Sequence, residues 1–304
     1  MQGGEDVRVS VLGDSISTYE GCNPEGFAVF YTGNIPSQTG VTSPRDTWWH
    51  QVIDGMGAEL LVNGSWSASL VEGAGYPSGE SRGRVAALRT PKATPDVVLV
   101  FMGINDFGWG GPLNHMCARG STVPFCLDLS KVPVRQPGAA PQDAAEKFGD
   151  AYNRMLQNLV WDFPQAQIWC LTLPVPRLKG ASCNTFAYPN RGNHFDRYNQ
   201  QIRKAAAQWD RCRLADLRAF NLDYESFDGM HPTRTGMRQI ASMALAAMGA
   251  AATPTGVAPS SQTCFQNDCC DCPFMPRIPY DWSCLCELGS PDHIYTNECG
   301  GDLD

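Results

Sequence analysis

The chain has 304 residues and a formal net charge of -8, with 43% hydrophobic and 18% charged positions. That balance describes a globular chain, and its acidity excludes the basic footprint that nucleic acid or an anionic membrane surface requires. No stretch of about eighteen consecutive apolar residues occurs, so no membrane span is expected.

The N-terminal MQGGEDVRV lacks the basic and apolar regions of a signal peptide. A cytoplasmic location is therefore expected; a trimmed N-terminus would read the same way and allow secretion. The first strand is expected over VRVSVLG, residues 7–13, where Gly13 gives way to Asp14-Ser15-Ile16-Ser17. Such a sequence either caps a helix or presents a serine at a strand's carboxyl end. A long loop, 18–46, rich in Gly, Pro, Asn and aromatics, leads to a helix over Thr47–Gly57, with Asp46 and Thr47 as caps. LLVNGS (60–65) and DVVLVFMG (96–103) are the second and third strands. A second long loop, 107–141, precedes a helix over Gln142–Phe163, whose apolar residues recur close to a 3.6-residue period. QIWCLTLP (167–174), a helix over Asn193–Asp210, RLADL (213–217) and a helix over Pro232–Met248 complete the set.

Strands apolar on both faces, alternating with helices, read as a doubly wound α/β fold with a parallel sheet. Residues 1–250 form this domain and 251–263 a linker, with 264–304 a small Cys-rich C-terminal module. The chain has 13 cysteines, and the module holds Cys264, Cys269, Cys270, Cys272, Cys284, Cys286 and Cys299. Thiolate ligation of a structural zinc ranks slightly ahead of disulfides there, although the paired Cys-x-x-Cys of common zinc ribbons is missing. Cys117 and Cys126 suit a bridge only in an exported protein.

Four polar groups fall at the predicted carboxyl ends of strands or at a helix start: Gly13-Asp14-Ser15, Asn63 to Ala68, Gly103-Ile104-Asn105-Asp106 and Asp228-Gly229-Met230-His231. A serine hydroxyl needs a base to become nucleophilic. His231 is the candidate base, and Asp228 stands where it can fix the imidazole's tautomer. An oxyanion needs converging N–H donors, and Ser15 N–H, a backbone N–H near 68 and the Asn105 amide can supply them. Asp14 and Asp106 are expected to be structural, and His50, His115, His194 and His293 without chemical role.

Gly-Asp-Ser near the start, Gly-x-Asn-Asp after a middle strand and Asp-x-x-His near the end resemble the SGNH hydrolases, also called the GDSL esterase/lipase family, over about Val7 to Met248. The resemblance implies a flavodoxin-like three-layer α/β/α sandwich with a five-stranded sheet of order 2-1-3-4-5. It also implies ester hydrolysis without a catalytic cofactor. It places the nucleophile at Ser15, the oxyanion asparagine at Asn105, the base at His231 and the orienting acid at Asp228. One position departs: where the family carries an oxyanion-hole glycine, this chain has Ala68, with Gly64 as an alternative donor. Alanine keeps the N–H and is comfortable if φ is negative there, strained if it is positive.

The stretch GDSISTYEG followed by DTWW resembles a bacterial branch of the family with carbohydrate-esterase-like members. Tyr19, Trp48, Trp66 and Trp109 are candidate substrate contacts, although at least one of Trp48 and Trp49 is expected in the core. The expected substrate is a small ester or an acylated sugar. A glycan-binding module that has lost turnover and an acyltransferase remain alternative readings, and the sequence leaves the oligomeric state open.

Overall fold

A computed structural model describes residues 7–73, 77–108, 144–182, 186, 189–190 and 193–260. Five strands form one parallel sheet: β1 (Arg8–Gly13), β2 (Glu59–Asn63), β3 (Val97–Phe101), β4 (Gln167–Leu171) and β5 (Cys212–Ala215). Their spatial order is β2-β1-β3-β4-β5, every neighbour parallel. Val9, Val11 and Leu12 of β1 and all of β3 are buried, as strands covered on both faces must be.

Helix α1 (Trp48–Gly55) lies between β1 and β2, α2 (Ala144–Asp162) between β3 and β4, and α3 (Phe195–Ala206) between β4 and β5; α4 (Arg234–Ala247) follows. The chain runs one way along the sheet from β1 to β2 and the other way from β3 to β5. Right-handed crossovers therefore set α1 on the face opposite α2 and α3. The packing agrees: α2 lies against α3, and α1 against α4. Each crossover helix turns an apolar stripe to the core, as in α3, where Phe195, Tyr198, Ile202, Ala205 and Ala206 are buried.

The point where strand order reverses, between β1 and β3, is where open α/β sheets leave a crevice at the carboxyl ends. Gly13 closes β1 there, and it has to be glycine. A Cβ at this position would lie 2.5 Å from Ser17 Oγ and 2.9 Å from Ser65 Oγ.

Two features stand outside the expected pattern. The last expected strand stops at Ala215, and Leu217–Phe220 forms a 3-10 turn. A short parallel pair, Val175–Leu178 with Asp223–Ser226, extends the structure past β4 and leads into the Asp228–His231 turn. The buried Arg177–Asp223 ion pair, with N···O at 2.6 Å, ties it together. The expected linker stays against the domain as far as it is described, since Asp223 and Val257 exchange both backbone hydrogen bonds at 2.9 and 2.8 Å. Among the described residues, no helix is long and apolar enough to cross a membrane. The Cys-rich segment 264–304, Cys117, Cys126, His115 and Trp109 lie outside the described residues.

Candidate active site

Ser15 opens a 3-10 turn, Ser15–Ser17, at the end of β1. Asp14 caps this turn by accepting from Ile16 N–H at 3.0 Å. The turn is fixed from several sides. Thr18 Oγ1 donates to Ser15 O at 2.9 Å, Asn63 Nδ2 to Ser17 O at 2.8 Å, and Trp48 Nε1 to Ser17 Oγ at 3.1 Å. This last bond corrects one expectation. Trp48 is wholly buried and bonded to the turn, so it supports the serine loop from the core and offers no exposed ring face for stacking.

His231 reaches Ser15 from the far end of the chain, its Nε2 standing 2.9 Å from Ser15 Oγ across 216 residues of sequence. Its Nδ1 stands 2.6 Å from Asp228 Oδ2. Asp228 Oδ1 accepts from the backbone N–H of Met230 at 2.9 Å and of His231 at 2.7 Å, so the carboxylate shapes the turn as well as holding the ring. Two tyrosines clamp the same turn: Tyr224 OH donates to Met230 O at 2.6 Å and Tyr31 OH to Pro232 O at 2.8 Å. Ser15, Asp228 and His231 are only 2–3% exposed. Burial alone would push the Asp228 carboxyl up, but the imidazole and the hydrogen bonds from His231 and Met230 hold it below the ordinary carboxylate value.

Asp14 behaves in the opposite way. Full burial, with Asp106 nearby, pushes its carboxyl up to about 7 against the pull of Ile16 N–H and Arg84. Sequence reasoning missed Arg84, although it is wholly buried under the nucleophile turn. Its guanidinium donates to Gly64 O at 2.7 Å, to Gly13 O at 2.9 Å and to Pro77 O, pinning the ends of β1 and β2 to one cation.

The loop after β2 is drawn to the same edge. Trp66 N–H donates to Gly13 O at 3.0 Å. Asn105 Nδ2 donates to Ser69 O at 3.0 Å, and Asp106 accepts from Val71 N–H at 2.9 Å and Glu72 N–H at 3.0 Å. Asp106 is thus structural, while Asn105 keeps a second amide hydrogen. Among the described residues, the Ser15 and Ala68 backbone N–H groups have no protein acceptor. Ala68 adopts φ 61°, the left-handed conformation normally left to glycine. The strained alternative is therefore the one realised: the backbone keeps a glycine's path and the alanine bears the steric cost.

Of the other sequence candidates, Tyr19 and Trp66 are half-buried and pack against the core. Trp66 lies against Phe27, with ring centroids 4.7 Å apart. His194 caps α3, its Nδ1 accepting from Asp196 N–H at 3.2 Å. Among the described residues, no group of His, Cys, Asp and Glu is arranged to hold a metal ion.

The fold is a three-layer α/β sandwich whose doubly wound sheet carries a hydrogen-bonded serine, histidine and aspartate at its carboxyl edge. Residues 7–122 match the family of GDSL-like lipases and acylhydrolases. The fold is shared with a GDSL-like lipase structure from Bacteroides ovatus at TM-score 0.52 and 23% identity, over 81% of this chain and 99% of that one. A second GDSL-like lipase structure, from Bacteroides uniformis, gives TM-score 0.51 and 23% identity over 79% and 94%. No curated protein matches. The sequence likeness to GDSL-like lipases and acylhydrolases is confined to residues 7–122, and the two solved structures share the fold.

Proposed function

We propose that the protein is a serine esterase that hydrolyses small esters, acetylated sugars among them, through an acyl-enzyme. The observation that carries this reading is the line Ser15 Oγ, His231 Nε2, His231 Nδ1, Asp228 Oδ2, with contacts of 2.9 and 2.6 Å. In this reading Ser15 Oγ attacks the ester carbonyl as its proton passes to His231 Nε2. Asp228 holds the tautomer whose Nε2 is free to accept, and stabilises the imidazolium that forms. The carbonyl oxygen becomes an oxyanion facing Ser15 N–H, Ala68 N–H and the Asn105 amide, each donor contributing roughly 3–4 kcal/mol. Collapse breaks the ester bond, and His231 returns the proton to the departing alcohol. Water then repeats the sequence on the acyl-enzyme and restores Ser15. The cycle calls on no metal or cofactor.

Two features support a short acyl group carried on a ring-shaped alcohol. The nucleophile is nearly closed to solvent, which suits a short acyl chain. The half-buried aromatics Tyr19, Phe27 and Trp66, on the loops that carry Ser15 and Ala68, offer flat apolar surface for a sugar ring. Turnover of p-nitrophenyl acetate and acetylated sugars tests the reading, with Ser15→Ala expected to lose at least about a thousandfold. Retained turnover in that variant, or none by the wild type on any short-chain ester, sinks it.

A further inference from the structure

The Phe30 ring lies on the His231 ring with centroids 3.5 Å apart and planes 9° from parallel. That separation is the contact distance of carbon atoms, so little lateral offset remains. Two neutral aromatic rings avoid such a sandwich and settle offset or edge-on at longer range. A cation over an aromatic face is attracted to it instead, and more strongly out of water. Phe30 is 3% exposed, so little solvent intervenes. The stack is therefore better suited to an imidazolium than to a neutral imidazole.

We propose that Phe30 is a positioning residue that fixes the plane of the His231 ring and stabilises its cationic form during turnover. The inference rests on the esterase reading above, in which His231 takes the Ser15 proton and so carries a positive charge during turnover. An interaction that strengthens at that moment raises kcat and leaves substrate binding alone. The surroundings tie Phe30 to both partners. Its N–H donates to Thr18 Oγ1 at 2.9 Å, and Thr18 Oγ1 donates to Ser15 O at 2.9 Å. The next residue, Tyr31, meets Phe30 edge-on at 5.1 Å and donates to Pro232 O beside His231. One dipeptide thus references the nucleophile turn and the base turn to each other.

The test is a fluorine series at position 30, from phenylalanine through monofluoro- to trifluorophenylalanine. Fluorination drains charge from the ring face and changes its shape little. On p-nitrophenyl acetate kcat should fall stepwise, reaching a loss of about tenfold, or about 1.4 kcal/mol, in the trifluoro protein. KM and Tm should stay in place. Phe30→Tyr, which keeps an aromatic face, should hold kcat within about threefold. A packing role alone would leave kcat indifferent to fluorine, and that result overturns the inference even if Phe30→Leu fails to fold. A wild type that turns over no ester and takes no fluorophosphonate defeats the esterase reading, and this inference with it, before any variant is made.

Discussion

Replacing Asp228 by asparagine changes one atom in a carboxylate that does three things. Oδ1 accepts two backbone N–H groups, at 2.9 and 2.7 Å, while Oδ2 faces His231 Nδ1 at 2.6 Å. Asparagine has only one acceptor oxygen. With its NH2 toward the backbone, two buried N–H donors would lose their acceptor, each costing about 1–3 kcal/mol. Its oxygen therefore keeps the backbone position and its NH2 turns to Nδ1. The ring must then carry its proton on Nε2, pointing at Ser15 Oγ, and cannot take another. A histidine held in the wrong tautomer costs about 10⁴ in kcat, or about 5 kcal/mol. Steady-state kinetics of Asp228→Asn on p-nitrophenyl acetate should show that loss, with KM within a few-fold and Tm close to wild type. A kcat within about tenfold of wild type would refute the assigned role of Asp228.

Asp14 predicts a pH effect on stability. Its carboxyl is raised to about 7 in the fold against 3.8 as an ordinary aspartate, so between those values the native state holds a proton that the unfolded chain has released. Stability therefore falls as pH rises from about 4 to 7, by at most on the order of 4 kcal/mol. Asp14→Asn keeps an acceptor for Ile16 N–H and removes the charge. Urea denaturation should find it more stable than wild type at pH 8 and equal to it near pH 4; equal midpoints at both would contradict the buried charge. Ala68→Gly should relieve left-handed strain of about 1–2 kcal/mol against a glycine entropy cost of about 0.5–1 kcal/mol. A small net gain in denaturation midpoint with kcat retained is expected, and a clear loss of stability would argue against the strained conformation.

The main sheet was legible because its strands are short buried runs, such as VVLVF in β3, and their order followed from the family resemblance. Ser15, Asn105, Asp228 and His231 were legible because small polar groups at strand ends stand out against those runs. Other parts left no local trace. The strand Val175–Leu178 reads VPRL, with a proline and an arginine and no alternation, and is held by the distant Asp223. Arg84 lies in RGRVA beside the exposed Arg82; only the three carbonyls gathered around it decide which cation is buried. Trp48 and Trp49 are adjacent at the start of one helix, and packing alone set Trp48 under the serine turn. Phe30 and Tyr31 belong to a loop without periodicity, where aromatic content hinted at function but not at the histidine as its target. Nothing local forces Ala68 to a positive φ, which comes from the anchoring of the loop around it by Gly13, Asn105 and Asp106.

The central claim is that one hydroxyl near the beginning of the chain is activated by an imidazole near its end. Incubation with a fluorophosphonate, followed by intact-mass measurement and peptide mapping, tests it most directly. The account predicts a single adduct on Ser15 that disappears in His231→Ala. Modification of a different serine, or equal labelling of Ser15 without His231, would contradict it.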